Sequence, residues 1–143
     1  MPTLSSYDYA VIRVVPLVER EEFVNAGVIL YCPTAPFLGA RISLDVDRLR
    51  ALTPAVDVAE VEAQLALIPL ICAGDPAGGE IATLPMAERF HWLVAPRSTV
   101  IQPSPVHTGL SEDPETTLEH LLNAVVRTPD SITERAGRGS SAD

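Results

Sequence analysis

Hydrophobic and polar positions fall into two periods along this chain. Up to residue 44, apolar residues come in short runs rich in aromatic and β-branched side chains; beyond it they recur every three or four residues. Short β-rich runs bounded by proline read as strands, and i, i+3, i+4 spacing reads as helix. Residues 7–15 (YDYAVIRVV), ended by Pro16, predict a first strand. Residues 23–32 (FVNAGVILYC) predict a second, and 37–44 (FLGARISL) a third, joined as an antiparallel meander. Gly27, inside the second run, predicts a bulge or the close approach of another backbone or a ligand.

Helical signals follow. Asp45 caps a short helix through Leu52, stopped by Pro54. Asp57 and Glu60 form a capping-box-like pair ahead of Val61, Leu65 and Ile68, which share a helical face. Pro69 kinks or ends that helix, or the helix runs on to Cys72 and closes at Gly74. Residues 75–79 (DPAGG) predict a loop. Residues 85–94 fit either period: Met86, Phe90 and Leu93 share a helix face, while Phe90, Trp92 and Val94 share a strand face. Pro85 suits a first helical turn and Glu88 suits the positive end of a helix, so the helix is preferred. Residues 97–102 (RSTVIQ) predict a fourth strand, ended by Pro103 and Pro105, with loop from 106 to 112. Asp113-Pro114-Glu115 opens a last helix carrying Leu118, Leu121, Leu122, Val125 and Val126 at helical spacing.

Strands followed by helices argue α+β. The expectation is a small antiparallel sheet, the three-strand meander plus the later strand, with helices packed on one face. Residues 7–127 form one domain, residues 1–6 a flexible lead-in, and residues 128–143, which lose the apolar pattern, a disordered tail.

Composition narrows the function. A length of 143 residues suits a single domain. Every basic residue is arginine; with so much alanine, proline and valine this reads as codon bias, so a guanidinium carries little functional signal by itself. The formal net charge of -9 opposes attraction to nucleic acid or to anionic membrane. Cys32 and Cys72 match no paired redox or zinc spacing and read as free thiols of a reducing compartment. The N-terminal residues show no basic-then-apolar leader, and the longest apolar run, 65–73, is too short to span a bilayer. A cytoplasmic protein without membrane association is expected.

Most of the polar chemistry is concentrated in residues 88–110 (ERFHWLVAPRSTVIQPSPVHTGL). Metal binding would draw on His91, His107, Cys32, Cys72, Glu112 and Asp113, but no two share a close ligand spacing on one element, so no metal and no cofactor are expected. Ser98 or Ser104 with His91 or His107 and Asp113 supplies the residue types of a triad without its motif. Arg89, His91, Trp92 and Arg97 interleave charge and aromatic rings as a single-strand platform would, against the acidic balance and against a core role for Trp92. Tyr7, Tyr9, Phe37 and Trp92 are possible anchors of a protein interface. An anion site remains: Arg97 clamps, Ser98 and Gln102 orient, and His91 or His107 exchanges protons, with Arg89 nearby and Asn25 lining the same pocket.

The blocks YDYAVIRVVP, FVNAGVILYC and RFHWLVAPRSTVIQPSPVHTGL, in this order, resemble a bacterial family labelled domain of unknown function 3037, over residues 7–127. Members read Asn-Val-Gly or Asn-Ile-Gly where this chain has Asn25-Ala26-Gly27. The resemblance implies a small bacterial protein with no assigned activity, and an accessory role beside a kinase-like protein. Two readings follow. The first is a non-enzymatic accessory or binding module acting with a separately encoded partner protein. The second is a small enzyme or ligand-binding domain for an anionic metabolite or nucleotide, using the Arg89–His107 segment.

Overall fold

The computed structural model describes residues 3–127. Residues 1–2 and the tail expected at 128–143 lie outside the described residues. The chain builds β1 (Ser5–Val14), β2 (Val24–Cys32), β3 (Phe37–Ile42), α1 (Val46–Leu52), α2 (Val58–Ala73), α3 (Met86–Leu93), β4 (Ile101–Pro103), β5 (His107–Ser111) and α4 (Pro114–Val125). This is the expected α+β class with its antiparallel meander.

β1 is the strand on which the sheet is assembled. β2 pairs along one side of it and β3 pairs outside β2. On the other side, β4 covers the C-terminal half of β1 and β5 the N-terminal half, both antiparallel. Ile12 faces Pro103 and Tyr9 faces His107, so three steps along β1 are matched by four along the edge. Ser104 lies at this offset. Its N–H donates to Val11 O at 2.8 Å, and its Oγ accepts from Val11 N–H at 2.8 Å while donating to Pro105 O at 2.9 Å. A buried hydroxyl thus takes the place of the ladder carbonyl. Pro103 and Pro105 have no N–H to donate and are tolerated because this is an edge. β5 was expected as loop; its residues are a strand because they pair with Ser5 to Tyr9, a contact that local sequence does not encode.

A second bulge shifts the β1–β2 register between Ile12 and Arg13. The expected irregularity at Gly27 is found here, together with close backbone approach: a Cβ at Gly27 would lie 2.6 Å from Arg41 O. The bulge places Ala26 and Ile29 on one face, and Val28, Leu30 and Cys32 on the other. Both faces of β2 are therefore apolar and both need cover. The expectation of helices on one face holds for α1, α2 and α3, which pack on Ile12, Val14, Val24 and Ile29 through Leu49, Leu65, Ile68, Phe90 and Leu93. α4 crosses to the opposite face, where Leu118, Leu122 and Val126 close over Tyr7, Val11, Val28 and Leu30.

Two of the three expected caps form through side chains, while Asp113 stands at the start of α4 without a side-chain bond to the helix backbone. Asp45 Oδ1 and Asp57 Oδ1 accept from Arg48 N–H and Glu60 N–H, both at 3.1 Å, contacts of about 1 kcal/mol each. α2 runs through Pro69 and ends at Gly74, which adopts the left-handed conformation (φ 71°) that glycine enters without strain.

Removing the Ser104 hydroxyl leaves the buried Val11 N–H without a partner. Ser104→Ala should therefore lower unfolding free energy by about 1–3 kcal/mol in urea titrations. A loss within error of zero would show that the hydroxyl does not hold the sheet edge.

Candidate functional site

The expected site segment divides into residues that hold the fold and residues that line cavities. Arg89 belongs to the first group. Its Nε donates to Leu84 O at 2.9 Å, and one terminal nitrogen donates to Ile71 O at 2.9 Å and Cys72 O at 2.7 Å. A cation on the carbonyls at the end of α2, where Ile71 O also accepts from Gly74 N–H, complements the helix dipole. Asn25 ties β2 to the end of α4 through Nδ2 and Val125 O at 3.0 Å, and its Oδ1 is buried without a partner.

Arg97 lies at the mouth of an apolar cleft of about 240 Å³. Ile12 and Ile29 of the sheet line this cleft, as do Gln64, Leu67, Ile68 and Ile71 of α2. Their spacing places them along one strip of that helix. Trp92 and Leu93 from α3, Thr99, and Ile101, Gln102 and Pro103 from β4 complete the lining. The Arg97 guanidinium stacks 4.7 Å from the centre of the Trp92 ring and donates to the carbonyls of Ala95 and Trp92. Burial moves its pKa below the ordinary arginine value, and it stays a cation. Trp92 was weighed as core and is instead 42 % exposed; Phe90 and Leu93 take the core positions of α3.

Gln102 lines this cleft and also a second cavity, where Ser98 joins Arg13 and Phe23. Thr99 Oγ1 donates to Ile101 O and Gln102 Nε2 donates to Thr99 O, both at 2.8 Å. These local bonds turn the chain at 99–102, so the strand expected from residue 97 begins only at Ile101.

The two histidines of the segment stand apart. His91 is on α3 beside Phe90, and His107 is on β5 with its ring 5.2 Å from that of Tyr9. Neither lines the cleft or the second cavity. The cysteines occupy opposite faces, Cys32 in the α4-side core and Cys72 in the α2-side core. Burial pushes the Cys72 thiol up to about 12, which keeps it protonated at neutral pH. Among the described residues no three His, Cys, Asp or Glu side chains are grouped to hold a metal ion.

A family model described as a protein of unknown function, DUF3037, matches residues 9–126. The chain belongs to this DUF3037 family. The match covers the Arg97 cleft and the sheet and both cores except for the first residues of β1, Tyr7 among them. No curated protein and no solved structure matches the chain.

For this DUF3037 protein, Leu67 and Gln64 were not expected as site residues. The available signal was Leu67, an apolar side chain off the Val61–Leu65–Ile68 stripe and 44 % exposed. Replacing Arg89 with Met keeps the stem and removes three hydrogen bonds to backbone carbonyls. Thermal or urea unfolding should show a loss of about 2–4 kcal/mol, whereas Arg97→Met, on an exposed ring, should cost under about 1 kcal/mol. Equal losses would contradict the division of roles.

Proposed function

We propose that this DUF3037 protein is a non-catalytic accessory module that docks on a separately encoded protein through the cleft between α2, α3 and β4. The observation that carries the reading is Trp92, half-exposed at the rim of an apolar cleft with Arg97 stacked on its ring. Tryptophan and arginine are the residue types most enriched among interface hot spots, and they bind best beside a pocket that accepts a partner side chain. Arg97 is pre-oriented by its two carbonyl acceptors, so little side-chain entropy remains to be lost on binding.

Two further features support a protein partner. Beyond the cleft, β5 is a sheet edge that no other strand covers among the described residues; no Asp, Glu or Arg lies along it, and Leu110 there is 65 % exposed. Bare strand edges invite strand pairing from another chain. The lining of the cleft contains no histidine, carboxylate or cysteine to move a proton or attack a substrate. A kinase-like protein is the partner we propose to test first.

Native mass spectrometry of the tagged chain from its own host tests the reading. A second polypeptide at fixed stoichiometry is expected, and Trp92→Ala or Leu67→Ser should weaken the complex by about 2 kcal/mol or more while leaving unfolding temperature nearly unchanged. A complex indifferent to both substitutions, or no second polypeptide, would refute docking at this cleft.

A further inference from the structure

We infer that the second cavity, beside Arg13, binds a small zwitterion, an α-amino acid with an apolar side chain. This inference is independent of the docking proposal. By strand alternation Arg13 points away from the face that carries Ile12 and the Trp92 cleft. The cavity holds about 310 Å³, within the usual range for small-molecule sites.

Its charges are arranged for a ligand and not for each other. The Arg13 guanidinium lies 4.2 Å from the centre of the Phe23 ring, and its Nε is buried without a hydrogen-bond partner. Among the described residues, Arg20, Arg41 and Arg127 form ion pairs and Arg13 forms none. Glu21 lines the same cavity. One cation and one carboxylate thus share a cavity without touching, and the partly desolvated cation is uncompensated. A molecule carrying a carboxylate for Arg13 and an ammonium for Glu21 supplies both partners. Ser98 and the second amide hydrogen of Gln102 add donors to the lining. Val15, Val18 and Phe23 offer apolar wall to a side chain. A dianion such as phosphate is disfavoured, because the cavity offers one guanidinium and Glu21 adds a negative charge that would repel it.

Glu21 also stands where the backbone prefers another residue. It is the one described non-glycine residue with positive φ, at 56°, a conformation glycine adopts more easily. Glycine there would relieve the turn and delete the carboxylate, which separates the binding role from the structural one.

Isothermal titration of the full chain with L-leucine, L-valine and L-phenylalanine is the test. At least one should bind saturably. For that ligand, the analogue lacking the ammonium and the analogue lacking the carboxylate should each bind at least about tenfold more weakly, and inorganic phosphate should give no saturable heat. Glu21→Gly should raise the unfolding temperature yet weaken amino-acid binding by about tenfold, leaving the ammonium-free analogue within about twofold. Arg13→Gln should abolish binding of both. The inference is overturned if none of the three amino acids binds below about 10 mM, if phosphate binds as well as they do, or if Glu21→Gly leaves their affinity unchanged.

Discussion

Val11 gives both of its backbone hydrogen bonds to one residue, Ser104, and the edge of the sheet depends on that exchange. An ordinary ladder would have continued one strand from Ile101 to Ser111. The hydroxyl instead accepts the Val11 N–H, lets one extra residue into the edge, and accommodates two prolines that a central strand would reject. The edge is broken into β4 and β5, and Gln102, just before the break, contributes to both cavities.

The second constraint is that the sheet is apolar on both faces. The β1–β2 bulge at Gly27 and Ala26 sends Val28, Leu30 and Cys32 toward α4 while Ile29 stays with α2 and α3. Covering both faces uses most of the chain's large apolar side chains. Eight large apolar side chains among the described residues are left partly in water, and two of them, Leu67 and Trp92, stand around one cleft. Scattered exposed apolar residues are ordinary on a protein surface; a tryptophan at a cleft rim, beneath a pre-oriented arginine, is the arrangement that suits recognition.

Most of the fold was legible because its signals are local. Runs of β-branched residues mark β1 to β3. Asp57 and Gly74 bracket α2, and Asp113-Pro114 opens α4, where the Thr116 hydroxyl holds the Asp113 carboxyl below the usual carboxylate range. β5 was not legible, since His107-Thr108-Gly109-Leu110-Ser111 has no apolar alternation and is a strand only through β1. Of the residues expected to form one anion site, Arg97 and Gln102 line the first cavity, and Ser98 and Gln102 the second. Arg89 and Asn25 could not be separated from them in sequence, because an arginine that caps a distant helix looks the same as one that faces a ligand. Arg13 lay in plain view inside a strand; its lack of an ion-pair partner among the described residues is a property of the assembled sheet.

The most direct measurement of the account is hydrogen–deuterium exchange on the chain alone and in the complex isolated from its own host. Binding at the Trp92 cleft predicts slowed exchange in α3 and through residues 97–103, with α4 and β3 unchanged. Protection confined to α4 or β3, with α3 unaffected, would contradict it.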